Sequence, residues 1–134
     1  MNKSNDSVNT VRSAHAHGET VKRFKSLLAK KGICLFADID HAAEAMQAGL
    51  TLRPTLVLIF GNPKAGTTLM QSKQLIGVDL PLHVLVWEDE QGRVWLTYHP
   101  VTHLTRRHLI SDREDAVKAV DAVLAGLVRE AAAP

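Results

Sequence analysis

Residues 55 to 63 read Thr55-Leu56-Val57-Leu58-Ile59-Phe60-Gly61-Asn62-Pro63. From Leu56 to Phe60 the run is apolar at every position and too short for an ordinary helix. It therefore predicts a central strand covered on both faces. Arg53-Pro54 introduces the strand, and Gly61-Asn62-Pro63 ends it in a turn. A short helix is predicted from Gly66-Thr67-Thr68-Leu69-Met70, with the Thr67 hydroxyl as cap and Gly77 as stop.

On the N-terminal side, Thr20 to Lys31 carries Val21, Phe24, Leu27 and Leu28 on one helical face, and Gly32 follows as a left-handed stop. Ile33-Cys34-Leu35-Phe36-Ala37 reads as a short apolar strand that Asp38-Ile39-Asp40 ends. A short helix follows, with Ala42, Ala45 and Met46 facing inward and Gly49 closing it. An edge strand is predicted around Val8 to Arg12.

On the C-terminal side, Leu82, Val84 and Val86 alternate with His83, Leu85 and Trp87, and Val94, Leu96 and Tyr98 alternate with Trp95, Thr97 and His99. With the polar stretch from Glu88 to Arg93 between them, these form a hairpin. Ser111 and Glu114 read as a capping box ahead of Val117, Val120, Leu124, Leu127 and Val128, the core face of a last helix. This order predicts an α+β fold, a mixed or antiparallel sheet with helices packed mainly on one face. The divisions are an N-terminal segment over 1–17 containing the edge strand, a single domain over 18–130, and a C-terminal tail over 131–134.

The 134 residues are 46% hydrophobic and 22% charged, which suits one core. Sixteen basic and fourteen acidic residues leave a net charge of +2, too small a field to hold nucleic acid or an anionic membrane. The densest basic run, Lys22, Arg23, Lys25, Lys30 and Lys31, falls on the wet side of the first helix. Cys34 is the single cysteine, so no internal disulfide exists, and its apolar neighbours predict a core position. Met1 to Asn9 lacks the apolar centre of a secretory signal, and no run reaches the roughly 18–20 apolar residues of a membrane span. The expected compartment is the cytoplasm.

Three groups carry candidate chemistry. Asp38, Asp40 and His41 stand at a strand end, where His41 as general base with Asp40 orienting it would form an acid–base pair; the alternative is that Asp40 caps the following helix and Asp38 is solvated. The Gly61-to-Thr68 segment offers backbone amides at a helix start, with Lys64 adding charge, for a phosphate or carboxylate. Thr67 stands where a nucleotide-binding loop needs lysine, and the alternative is a structural turn and cap. His99, His103 and His108, with His83 nearby, have metal-ligand chemistry, but Pro100 argues against a regular helix from His99 and no second sulfur exists. His15 and His17 read as surface residues near a mobile end.

A wider pattern joins these pieces: Ile39-Asp40-His41-Ala42-Ala43, Leu52-Arg53-Pro54-Thr55, Phe60-Gly61-Asn62-Pro63-Lys64-Ala65-Gly66-Thr67, Leu69-Met70, Asp79-Leu80-Pro81 and Val86-Trp87-Glu88-Asp89. In this order, over roughly residues 18 to 110, they resemble the domain-of-unknown-function family number 302. The resemblance implies an α+β fold similar to the TATA-binding-protein-like architecture and a homodimer, and no established reaction. Members commonly show Tyr-Asn-Asp-Pro and then Arg-His; here Tyr98 is followed by His99-Pro100, while Leu104, Arg107 and His108 fit.

The reading is a homodimeric binding module for a small anionic ligand, with a pocket bounded by Asp40, His41 and the Gly61–Thr67 loop. Gly61, Asn62, Lys64, Gly66 and Thr67 are the expected ligand-binding residues, joined by Arg53, Asp79 and Tyr98 from the matching motifs. Arg53 lies at the opposite end of its strand, and an interface role is its alternative. No cofactor or metal is named. The partners are a second copy and the small anion, not nucleic acid or membrane. The alternatives are a small enzyme using His41 and Asp40, and a structural dimerisation domain with an apolar surface around the hairpin or last helix.

Overall fold

The computed structural model describes residues 8–134. The first residues of the 1–17 segment, on which the absence of a secretory signal was read, lie outside the described part. Among the described residues five strands form one sheet: β1 (Asn9–Arg12), β2 (Cys34–Asp40), β3 (Thr55–Gly61), β4 (Leu82–Glu88) and β5 (Val94–Tyr98). Their order is β1-β5-β4-β3-β2, and every neighbouring pair is antiparallel. The helices are α1 (His17–Lys30), α2 (His41–Gln47), α3 (Pro63–Ser72), α4 (Val101–Arg107) and α5 (Glu114–Ala132), with a 3-10 turn over Gln74–Asp79.

Register decides which side chains share a face. Leu58 sits opposite Val84, and Leu56 opposite Val86, which in turn faces Leu96. This row joins Phe24 and Leu28 of α1 and Leu124, Leu127 and Val128 of α5 in one core. Phe24 and Phe60 meet with ring centroids 5.3 Å apart. The alternate positions Val57, Ile59 and Leu85 are only half-buried. β3 is thus central but not covered on both faces, because an antiparallel sheet leaves its second face to its own side-chain neighbours. Val57 is flanked there by Ile39 and Leu85.

β2 does not end at Ala37. It runs to Asp40, with an irregularity between Leu35 and Ala37, because Asp38 and Asp40 cost little on an exposed edge. Asp38 ion-pairs with Lys25 of α1 at 2.5 Å. Cys34, expected in the core, is exposed on the same edge. Met46, expected to face inward, is 77% exposed, and α2 buries no residue.

α3 begins at Pro63, not Gly66. Asn62 caps it, its Oδ1 accepting from the Lys64 amide at 2.9 Å, and Pro63 supplies a preset first turn. As Pro100 argues, no helix runs from His99: α4 starts at Val101, with Pro100 just outside as its N-cap. Asp121 of α5 accepts from the Val101 and Thr102 amides at 2.5 and 3.2 Å, a cap supplied from twenty residues away. α5 starts after Arg113 with no side-chain cap, so Ser111 and Glu114 form no capping box. Its end is no loose tail: Ala131 and Ala132 are buried, and the Ala132 carbonyl accepts from the Ala14 amide at 2.8 Å. His15 and His17 are likewise held, their Nε2–H groups donating to the Ala133 and Val86 carbonyls at 2.6 and 2.9 Å.

Candidate functional site

The sharp exit from β3 creates a hollow. Apolar residues carry the strand to Gly61, Asn62 turns the chain, and α3 leaves the sheet before the 3-10 turn returns it to β4. Between α3, the 3-10 turn and the ends of β3 and β4 lies a cavity of about 300 Å³. Gly61, Asn62, Pro63, Gly66 and Thr67 form one wall, and Leu69, Met70, Gly77, Leu80 and Pro81 another. Phe36 from β2 and Val120 from α5 complete it.

Glycine matters here through size. A Cβ on Gly77 would stand 3.1 Å from Met70 Sδ, so the 3-10 turn approaches α3 as closely as hydrogen allows. A Cβ on Gly66 would reach Leu80 and Met70 at 3.9 Å, across the hollow.

The structure brings Gly61, Asn62, Gly66 and Thr67 together in this wall, but not as an anion cradle. Pro63 has no amide hydrogen, the Lys64 amide is taken by Asn62 Oδ1, and the Gly66 amide donates to the Asn62 carbonyl at 3.1 Å. Gly66 and Thr67 sit inside a helix, not a loop. Lys64 belongs to the same turn, yet its side chain lines neither this cavity nor its neighbour.

Asp40, His41 and Arg53 lie elsewhere. Cys34 pairs with Gly61 and Asp40 with Leu56, so β2 and β3 hold the two groups at opposite ends of the hairpin. At about 3.3 Å per residue this is roughly 20 Å. The expected shared pocket does not form. Asp40 caps α2, its Oδ1 accepting from the Ala43 amide at 2.9 Å. His41 is exposed on the first turn and lines none of the hollows described, so the acid–base pair loses the cleft it needs. Arg53 is exposed just ahead of β3.

Tyr98 is 7% exposed within the core, and Asn9 donates to its hydroxyl at 3.4 Å. Asp79 accepts from His108 Nε2 at 2.5 Å and Arg107 Nη1 at 3.2 Å, tying the 3-10 turn to the end of α4. The His108 hydrogen bond holds the Asp79 carboxyl below its ordinary value of 3.8 against the opposing effect of burial, with Arg107 adding to it. Asp89 is also held low: burial pushes it up, but donation from Trp95, from Arg93 and from the Gln91 amide outweighs that. His83 and His99 meet edge to face at 6.3 Å, while His108 is engaged with Asp79. Among the described residues no three His, Cys, Asp or Glu side chains converge as a metal site.

The wall residues that residue-by-residue reading missed are apolar: Leu69, Met70, Leu80 and Pro81 stood in the quoted motifs without chemistry to flag them. Val120 looked like an ordinary core position of the last helix. Only its placement beside Gly61 makes it part of the site.

In fold, the chain is similar to a crystal structure of an uncharacterized conserved protein DUF302 from Bacillus stearothermophilus. The TM-score is 0.85 at 18% identity, over 95% of this chain and 99% of that one. In sequence, it is 46% identical over 112 residues to a protein named Fluoride-specific ion channel FluC 1 from Brucella suis biovar 1 (strain 1330), covering 83% of this chain and 44% of that one. A FluC 1 from Brucella abortus biovar 1 (strain 9-941) gives the same identity, with 42% of its length covered. The chain thus spans less than half the length of these curated relatives. No helix among the described residues is long and apolar enough to cross a membrane. Sheet, helices and quoted motifs meet in one conclusion: the chain belongs to the family described as Domain of unknown function DUF302, which it matches over residues 9–130.

Proposed function

We propose that this domain is a noncatalytic, homodimeric binding module of the cytoplasm, whose small ligand places an apolar body in the hollow between α3, the 3-10 turn and the sheet end. One observation carries the reading. Motif residues from three separate stretches, Gly61-Asn62-Pro63, Leu69-Met70 and Leu80-Pro81, wall a single cavity of about 300 Å³. That volume lies within the usual range for small-molecule sites and far above the voids close packing tolerates. A thermal-shift screen of apolar and amphipathic compounds tests it. Binders are expected to raise Tm in the wild type and not in Gly66→Leu, whose side chain would enter the hollow. No shift with any compound, or an equal shift in the variant, ends the proposal.

The β2 edge supports self-association. It is one of the two outer strands, Phe36 and Ile39 are 49% and 39% exposed on it, and Met46, Leu50 and Leu52 are exposed in the segment that follows. An open apolar edge favours pairing with another strand. Exposed apolar side chains also stand at Leu75, Val78 and Leu109 and, on the last helix, at Val123; the open strand edge is what favours β2. Light scattering is expected to find a dimer, and Ala37→Lys a monomer.

A second reading comes from the relatives named as fluoride channels, because the match occupies under half of their length. In it, the domain is a ligand-responsive unit appended to such proteins. Deleting the matching segment from the Brucella suis relative is expected to leave fluoride passage intact and remove any response to compounds from the screen; loss of passage itself would count against it.

A further inference from the structure

Beside the hollow at α3, along α5, lies a second of about 470 Å³, and Gly61, Asn62, Ala65, Leu82 and Val120 wall both. Their shared walls set them side by side as the two arms of a groove, Met70 and Gly77 lining one arm and Lys31 and Leu127 the other. The added walls, Ile33, Phe60, Ala119, Val123 and Leu124, are again apolar.

Its charge pattern is one-sided. Among the described residues the single charged side chain in both walls is that of Lys31 at the end of α1, and no carboxylate lines the groove. Lys31 Nζ lies 3.9 Å from a carboxylate oxygen of Glu130, too long for a hydrogen bond. Its side chain is 40% exposed, so its head reaches water while its stem borders the groove. Besides Lys31, the polar side chains in the walls are those of Asn62 and Thr67.

We propose that the groove takes a single-chain anionic amphiphile, its carboxylate at Lys31 Nζ and its hydrocarbon chain running past Gly61-Asn62 towards Met70. The inference rests on the apolar-pocket reading above and adds the ligand's length, direction and charge. Chain and head contribute separately. Each buried methylene raises affinity by about fourfold until the groove is full. The half-exposed ion pair adds no more than about fivefold.

Calorimetry on the full chain with decanoate, decanol and decyltrimethylammonium, each below its micelle threshold, tests both parts. Decanoate is expected to bind about three- to fivefold tighter than decanol, and the cation more weakly than either. Lys31→Glu, a surface change that leaves the core intact, is expected to invert the order of the charged pair. Val120→Trp, which fills the shared middle, and Gly66→Leu, which fills the inner end, are expected to abolish all binding. Equal affinity for all three heads with no effect of Lys31→Glu would overturn this inference and leave the pocket standing. No binding by any of them would overturn both. A wild-type dimer that binds none and becomes monomeric in Val120→Trp would show that a second copy fills the groove, which also overturns the proposal.

Discussion

The two ends of β3 make an instructive pair. At the Thr55 end stand Asp40, His41 and Arg53, the residues with the most obvious chemistry, on or beside a seven-residue helix that buries nothing. At the Gly61 end stand glycine, proline and apolar residues with almost no reactive groups, yet this end is enclosed by α3, the 3-10 turn, β2 and α5. Binding needs a surface withdrawn from water before it needs functional groups. Side-chain identity points to the first end; enclosure selects the second.

The contrast breaks if the two ends respond alike to substitution. The largest difference is expected in the core: Phe60→Ala should cost about 3–5 kcal/mol in urea unfolding, while Met46→Ala beside the other end stays within about 0.5 kcal/mol. Next come the caps. Asn62→Ala should cost about 1 kcal/mol and lower hydrogen-exchange protection through α3. Asp40→Ala should lower protection in residues 41–47 and leave global stability nearly unchanged, because α2 buries no side chain.

Acid sharpens the comparison further. The folded-state pKa of Asp79 is below its ordinary value of 3.8, so its contribution is present above that value and lost as pH falls through the lowered one. Asp79→Asn should flatten this part of the stability curve below about pH 4, read from Tm against pH. The smallest effect is expected from His41→Ala and Arg53→Ala, each within about 0.5 kcal/mol and without change in ligand affinity by calorimetry. A loss of binding in either variant would restore the Thr55 end as a site.

Much of the fold was legible because its signals are local. The spacing of Val21, Phe24 and Leu28 marked α1, Gly32 with φ of 67° marked its end, and the alternation around Glu88 to Arg93 marked the β4–β5 hairpin. Local reading fell short where a distant partner decided. Pro100 keeps His99 out of a helix, as read, but that α4 starts directly after it depends on the cap Asp121 supplies. Cys34 and Met46 looked buried because apolar neighbours were taken for burial, whereas β2 is an edge. The candidate site was half legible: Gly61, Asn62, Gly66 and Thr67 were named for their amides, and they line the hollow with different surfaces.

By itself the sequence determined where strands and most helices form, since propensity, periodicity and turn chemistry act within a few residues along the chain. It also determined the family, through several short motifs in a shared order. Only the tertiary structure decided which motifs meet. The register pairing Asp40 with Leu56 and Cys34 with Gly61 separates two groups that sequence proximity to turns had joined. The hollow between α3, the 3-10 turn and the sheet end is lined by residues as far apart in the chain as Phe36 and Val120, and no local rule encodes such a meeting.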